Sequence, residues 1–462
     1  MIKKILSKHL SGPGGISQLL VIAMPMVVSQ TCDTVMMFTD RLFLSQLSPV
    51  HMAASMSGGL TMFMFMTFFM GLTGYATALV AQYLGSGNEE KCAVVTTQAL
   101  IICLIAYPIM LACIPIGHWL FEFIGHNEQQ LELSVVYFDI LMFGTIIGLA
   151  RNSFNAFFSG IGKTRIVMFS SMVAMVINVI VNYTLILGNF GFPVMGIKGA
   201  AIGTIIGGLC GLLIVAAGYL MYQRAYGIND FYKSLHFDVT VMRKLLKFGY
   251  PGGLEFFLNL LAFDLTVLIF HSYGTDVAAA VTIAFNWDLV SFIPLIGVNI
   301  GVTSLVGRFM GGGNPDLAHR TTISGLKLVS VYSVLMIVLF VIFPKPLVAM
   351  FLPDSENTKA LSDLAEYMIA LVAFYVIADG FSLVYSGALR GSGDTFWTMV
   401  ISVALHWIFA VEAILMVSVF NLPPKITWAV FVFTVPTIAI AFYLRFQSGK
   451  WRKIKVVDSD NQ

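Results

Sequence analysis

Two passages of this chain, GLTGYATALVAQYLGSGN at 71–88 and GVNIGVTSLVGRFMGGGN at 297–314, follow one pattern. An offset of 226 superposes Gly71 on Gly297, Thr77 on Thr303, Leu79 on Leu305, Val80 on Val306, Gly85 on Gly311, Gly87 on Gly313 and Asn88 on Asn314, and also Pro25 on Pro251. A second pair, GIGKT at 160–164 and GSGDT at 391–395, recurs at an offset of 231. The chain is therefore one unit of roughly 220 residues written twice. In a hydrophobic chain, such duplication is the usual mark of a transporter whose binding site lies between or within the halves.

The surrounding sequence points to a membrane. Of 462 residues, 58% are hydrophobic and only 11% charged, with a mean hydropathy of +0.86, whereas soluble domains carry about 25% charged residues. Twelve apolar stretches reach the length of about 20 residues that a helix needs to cross a bilayer. They lie near 16–46, 53–84, 93–122, 130–157, 164–187, 197–223, 241–271, 277–310, 321–350, 359–387, 394–420 and 425–446. The expected fold is an all-α integral membrane protein with twelve transmembrane helices in two pseudo-symmetric six-helix lobes. The lobes are expected at 1–223 and 241–446, joined by a linker at 224–240 and followed by a basic tail at 447–462. Several stretches exceed the bilayer thickness, which predicts tilt or extension beyond it.

Basic residues concentrate in alternate loops. Lys3, Lys4 and Lys8 precede the first stretch, Lys163 and Arg165 lie in the fourth loop, and Arg224, Lys233, Arg243, Lys244 and Lys247 lie between the halves. Arg308 and Arg320 flank the eighth loop, Arg390 is in the tenth, and Lys450, Arg452, Lys453 and Lys455 are in the tail. The intervening loops hold only Lys198, Lys345, Lys359 and Lys425. This asymmetry places both termini and the connector in the cytoplasm. The net charge of +2 then concerns orientation, and no nucleic-acid partner is expected. The tail segment KWRKIKVV reads as a topology anchor, with specific lipid recognition as the alternative. No cleavable signal is expected, and the five cysteines have neither zinc nor redox spacing.

The GSGN and GGGN segments are expected to be tight turns with glycine at positive φ, where Asn88 and Asn314 cap the next helix. A dinucleotide fingerprint is absent, and GKT lacks the upstream glycine of a nucleotide-binding loop. With no ATP site visible, the energy source is an ion gradient.

An acid inside a membrane span is costly and usually functional. The first half places Asp33, Asp40 and Asp139 in spans. Asp33 and Asp40, seven residues apart, share a helix face two turns apart. Asn178 and Asn182 are four apart on one face, and Tyr183 follows. A carboxylate with amide oxygens and a hydroxyl makes a shell for a hard cation such as Na+, or holds a proton on the carboxylate. The competing reading for Asp40 is a pair with Arg41, although helix neighbours point apart. For Asp33 it is a protonated donor in helix packing, and for Asp139 a structural role. The second half places Glu255, Asp264, Asp288, Asp379 and Glu412 in spans, with Glu255/Asn259 and Tyr375/Asp379 each four apart. No lysine or arginine lies deep in these spans, and His406, six residues from Glu412, is the one basic candidate. Such acids call for a proton, Na+ or a cationic substrate. The competing reading is acids that face a watery vestibule without a specific role.

On these residues the chain resembles the multidrug and toxic compound extrusion (MATE) family, bacterial NorM-like or DinF-like, over about residues 12–446. The resemblance implies a multi-pass protein of the bacterial inner membrane. It would be a monomer that exports cationic and amphipathic drugs in exchange for Na+ or H+, with no other cofactor. Asp40 in MMFTDRLFL matches the first-helix aspartate of the family's N-lobe cation site, and Asn178 and Asn182 in VINVIVNY match its fifth-helix pair. Tyr137 in VVYFDI and Thr204 in GAAIGT are similar to further members of that pocket. Asp379 and Tyr375, before SGALRGSGD, resemble the C-lobe cation site. Asn259 stands where that site has a glutamate, a departure that puts its coupling role in doubt, while Asp264 resembles a second acidic position and Glu255 lies one turn earlier. The resemblance leaves the coupling ion, Na+ or H+ held at Asp40 or Asp379, open. Two other readings remain. One is a lipid-linked oligosaccharide or polyisoprenoid flippase of the same superfamily, which the acidic, lysine-poor interior disfavours. The other is a membrane enzyme or sensor, for which there is no metal-ligand cluster, nucleophile–base pair or attached soluble domain.

Overall fold

Long apolar runs leave the backbone no water to bond with, so each must satisfy its own N–H and C=O groups as helix. The computed structural model describes residues 12–125, 127–225, 235–352 and 359–457. Lys3, Lys4, Lys8 and Lys233 and the end of the tail lie outside them. The helices of the first half are α1 (Ile16–Leu47), α2 (Pro49–Gly74), α3 (Ala76–Gly85), α4 (Glu89–Ala112), α5 (Ile114–Ile124), α6 (Glu128–Gly160), α7 (Arg165–Leu187) and α8 (Ile197–Ala225). Those of the second are α9 (Val239–His271), α10 (Thr275–Gly311), α11 (Pro315–Ile342), α12 (Pro344–Ala349), α13 (Lys359–Ser392), α14 (Thr395–Ile414), α15 (Pro424–Thr434) and α16 (Pro436–Gln447). Together they supply twelve helical segments long and apolar enough to cross a membrane, with α2 and α3 forming one and α15 and α16 another. The protein is an all-α multi-pass membrane protein.

Two of the expected stretches end early. The run at 93–122 is divided at Cys113 into α4 and α5, and the run at 321–350 is divided at Phe343 into α11 and α12. Pro115 and Pro344 stand at the starts of α5 and α12. Proline lacks an N–H and clashes with the preceding turn, so an apolar run can continue while its helix cannot.

The repeated loops all close the same way. The N–H groups of Asn88, Lys163, Asn314 and Asp394 donate to the carbonyls of Tyr83, Phe158, Phe309 and Leu389, five residues back, at 2.8–2.9 Å. The glycine before each, at 87, 162, 313 and 393, has φ between 69° and 95°. This is the left-handed helix stop that glycine accepts without a Cβ clash. Asn88 and Asn314 stand at the N-cap positions, but neither side chain makes a capping bond. Asn314 Nδ2 donates instead to the carbonyl of Gly312 at 2.8 Å.

Two compact units emerge from the contacts. Among the described residues, one is Met24–Phe257 with Val457, and the other joins 12–23 to Leu258–Val456. The divisions thus fall inside α1 and α9, next to Pro25 and near Pro251. Within the first unit, the start of α9 lies backbone to backbone on α2. A Cβ at Gly249 would stand 2.5 Å from the carbonyl oxygen of Leu72, and one at Gly253 would overlap that of Phe68. Small residues allow this approach where apolar side chains gain nothing by leaving lipid.

Asp238 starts α9. Its Oδ1 accepts the backbone N–H groups of Thr240 and Val241 at 2.9 and 3.0 Å, and its Oδ2 accepts from Lys91 Nζ at 2.7 Å. Burial raises this carboxyl, but the Lys91 bond and charge together with the two amides hold it below its ordinary value. A depressed carboxyl contributes stability above the unfolded pKa of about 3.9, and that contribution is lost as pH falls through the lower folded value. Asp238→Ala is expected to cost about 1 kcal/mol near neutrality, most of it the helix cap because Lys91 is half exposed. Thermal unfolding of the two proteins should converge in acid, and an equal gap at all pH values would contradict this account.

Candidate functional site

Glycine recurs every fourth residue along one face of α8, at Gly199, Gly203, Gly207 and Gly211. A Cβ at Gly199 would lie 2.7 Å from the backbone of Leu185, one at Gly207 would lie 2.9 Å from the Asn178 Cβ, and one at Gly203 would overlap Asn182 Oδ1. The stripe lets α7 and α8 touch at backbone range. It seats Asn178 and Asn182, both fully buried, beside Thr204.

Asp40 from α1 reaches this pair. It is 6% exposed. Asn182 Nδ2 donates to its Oδ1, and Thr204 Oγ1 donates to its Oδ2 at 3.0 Å. Thr204 Oγ1 has an alternative acceptor in the Ala200 carbonyl, also at 3.0 Å. Asn178 faces the carboxylate without reaching hydrogen-bond geometry. Tyr137 of α6, buried, lies within electrostatic range of Asp40 and against Thr204. Five residues from four helices thus converge, all within one compact unit. Both polar atoms of the Asn178 side chain and Asn182 Oδ1 are buried with no hydrogen-bond partner. A buried amide oxygen without a donor is expensive, and two of them beside a carboxylate make an electronegative socket. Arg41 makes no ion pair with Asp40 among the described residues but lies within its electrostatic range. Tyr183 turns away, its ring packed on Phe43 and Phe190, so the nearby hydroxyls belong to Thr204 and Tyr137.

In the second unit, Asp288 of α10 and Tyr375 and Asp379 of α13 converge. Tyr375 and Asp379 both lie within electrostatic range of the Asp288 carboxyl. Asp288 Oδ1 is buried without a partner. The helices are held close by Gly387 and Gly391, where a Cβ would stand 2.9 and 2.6 Å from the carbonyl oxygens of Asn299 and Thr303. The other expected members of this group lie apart from it. Asn259 Nδ2 donates to Ser402 Oγ at 2.8 Å. Asp264 is half-buried and has no hydrogen bond to Asp288, Tyr375 or Asp379 among the described residues. Glu255, buried, belongs to the Met24–Phe257 unit.

The remaining intramembrane acids have their own settings. Asp139 pairs with His118 Nε2 at 2.7 Å. Asp33 accepts from Arg151 Nη2 at 3.2 Å, and the same nitrogen donates to Ser171 Oγ at 2.7 Å. Ser171 in turn bonds Ser29 at 2.7 Å. Asp33 thus has an ion-pair partner in Arg151. Arg151, inside α6, is a basic partner that the spacing of the acids does not indicate, whereas the four-residue glycine period of α8 is a legible signal for the α7–α8 contact. Glu412 Oε1 accepts from Thr434 Oγ1 at 2.8 Å. Among the described residues, no group of three or more His, Cys, Asp or Glu side chains is arranged to hold a metal.

Comparison with known proteins agrees with this architecture. The MatE family model matches residues 25–184 and 251–415, once in each half. The chain belongs to the MatE family. Like that family, it is a membrane transporter. Relatives similar to this MatE member include a probable multidrug resistance protein NorM of Thermotoga maritima, 27% identical over 397 residues, covering 83% of this chain and 81% of the relative. Multidrug resistance protein PmpM of Pseudomonas aeruginosa is 26% identical over 411 residues, covering 87% and 84%. Among solved structures, a MOP superfamily transporter from Pyrococcus furiosus superposes with a TM-score of 0.85 at 18% identity, covering 97% of this chain and 98% of that one. This last likeness concerns the fold.

Proposed function

We propose that this MatE protein is a secondary active multidrug efflux transporter. It exports organic cations and amphipathic drugs across a bacterial inner membrane in exchange for Na+ or H+, with both termini in the cytoplasm. The observation that carries the reading is the Asp40 socket: one buried carboxylate, two amide oxygens without partners and two hydroxyls, with no basic side chain in an ion pair with the acid. The names of the NorM and PmpM relatives support the efflux direction and the drug class.

In this reading Asp40 holds the coupling ion. Na+ would be met by the Asp40 carboxylate and the Asn178 and Asn182 oxygens, hard ligands for a hard cation. A proton would sit on Asp40 itself, turning an acceptor into a donor that Asn178 Oδ1 or Asn182 Oδ1 can receive. Either ion changes how α1 is held against α7 and α8. Pro25, which removes one backbone bond of α1, gives that change a place to become a bend. Alternating access of the two halves then follows as for other duplicated transporters. Asp288, Tyr375 and Asp379 form a second acidic site suited to a cation or to the substrate's charge.

Ethidium movement in proteoliposomes tests this. An imposed Na+ gradient at clamped pH, then a pH gradient without Na+, is expected to drive dye under one condition and so name the ion. No movement under either gradient, in folded protein, would overturn the drug–ion reading and bring the lipid-flippase alternative forward.

A further inference from the structure

Glu412 stands on the last turn of α14, in the second unit, where the helix loses its α pattern. Residues Leu415–Val419 form a π turn. Phe420 N–H donates to the Leu415 carbonyl at 2.9 Å, and Leu422 N–H donates to that of Met416 at 2.9 Å. Asn421 then reverses the chain in a left-handed conformation, with φ at 48°. Such π turns widen a helix and recur at functional sites. Here the widened end borders an open groove of about 640 Å³, lined by Ala404, Trp407, Glu412, Met416, Phe420 and Thr434 with other apolar side chains, Trp407 and Phe420 among them exposed.

The groove's chemistry is one-sided. Its walls are almost wholly apolar, and no lysine, arginine or histidine lines it. His406, the basic candidate from the sequence, lies outside the lining, with Nδ1 2.7 Å from the Ser402 carbonyl. Glu412 Oε1 accepts from Thr434 Oγ1, but Oε2 is buried with no partner. A carboxylate oxygen in such a place is costly unless a cation or donor reaches it. We propose that this groove is a second ligand site, separate from the Asp40 socket, that binds a drug-sized organic cation. The ammonium pairs with Glu412 Oε2, the Trp407 and Phe420 rings supply cation–π attraction, and the Met416 thioether and apolar walls take the hydrocarbon part. The volume lies within the range of roughly 300–1,000 Å³ in which small-molecule pockets fall. An anionic ligand would face the acid and a neutral one would leave it unmet. The cation class therefore follows from the pocket itself and does not depend on the coupling mechanism.

The test is photolabelling of the full chain in phosphatidylglycerol nanodiscs with a para-azidobenzyl dimethyl dodecyl ammonium probe, followed by peptide mapping. Saturable labelling of the 404–422 segment is expected, competed by tetraphenylphosphonium and not by neutral dodecyl maltoside. Glu412→Gln should weaken probe affinity there about tenfold, the loss expected for one charge-assisted contact. Ala404→Trp, which fills the groove and leaves Glu412 in place, should abolish the labelling and serves if the first variant fails to fold. Labelling unchanged in both variants, or labelling that does not saturate and spreads over all lipid-facing helices, would overturn the site. Labelling competed by phosphatidylethanolamine in the nanodisc and not by tetraphenylphosphonium would also overturn it, by making the groove a lipid site. Gradient-driven ethidium movement is a separate readout, so loss of this site and loss of the efflux reading are distinguishable.

Discussion

Asp40→Asn is expected to reduce gradient-driven ethidium movement to the level of protein-free liposomes while leaving the protein folded. Asparagine has nearly the shape of aspartate, so Thr204 and Asn182 keep a partner at one atom and the α1–α7–α8 packing survives. What disappears is the one negative charge among neutral neighbours, Asn178, Asn182, Thr204 and Tyr137, with the Arg41 cation in electrostatic range. Without that charge no monovalent cation recovers its desolvation cost, and an amide does not titrate as a carboxyl does. Two readouts separate the role of Asp40 from simple damage. Thermal unfolding in detergent should shift little, and binding of ethidium without any gradient should persist at the second unit's acids. Coupled transport that survived in Asp40→Asn would place ion coupling elsewhere, first of all at Asp288 and Asp379. Asn178→Ala provides a finer probe. If Na+ is the ion, losing the orphaned Asn178 oxygen should raise the Na+ concentration needed for half-maximal transport. If it is H+, the Na+ response stays absent and only the pH profile moves.

A second large effect is expected in stability. Asp394→Ala should destabilise the protein by about 3–5 kcal/mol, the range for breaking a buried ion pair by removing one partner. Arg445 Nε and Nη2 donate to the two Asp394 oxygens at 2.7 and 2.9 Å, and both side chains are nearly buried. The Arg445 guanidinium also stands over the Trp397 ring at 5.0 Å. Truncating Asp394 leaves that cation in place with nothing to replace two charge-assisted bonds. The double variant Asp394→Ala with Arg445→Met should lose far less, because removing both charges also removes their desolvation cost. Heat unfolding followed by tryptophan fluorescence, run as a double-mutant cycle, measures the coupling. Independent, additive losses would show that the pair is incidental. The first half holds Lys163 where the second has Asp394, and Lys163 Nζ lies 4.4 Å from the Tyr222 ring centre. In each copy a residue of this turn is thus tied to the last long helix of its own half, by cation–π contact in one and by an ion pair in the other.

Particular elements show how far the sequence could be read. The four glycine turns were legible because a left-handed helix stop is a local matter: glycine supplies the positive φ and the neighbouring amides close the turn. The twelve crossings were legible for a similar reason, since lipid demands long apolar helices whatever they pack against. The breaks at Cys113 and Phe343 were overlooked because hydropathy runs on through Pro115 and Pro344, although the backbone cannot. The Asp40 group was found through a family resemblance and not through spacing, since its members lie as far apart as Asp40 and Thr204. Physical spacing alone gave Asn178 with Asn182 and Tyr183, whose ring packs on Phe43 and Phe190.

The sequence by itself determined that this is a duplicated all-α membrane protein, because apolar length, internal repetition and turn glycines act within a few residues or recur along the chain. Only the tertiary structure decided the partners of the charges. Arg151 meets Asp33 across 118 residues, His118 meets Asp139 across 21 and Arg445 meets Asp394 across 51. It also decided which acids stand together and which oxygens stay unmet, and it placed the unit divisions inside α1 and α9 and not in the 224–240 connector. Those outcomes depend on which helix faces touch, and that is set by the summed fit of glycine stripes such as Gly199–Gly211 against their neighbours, a property no single segment carries.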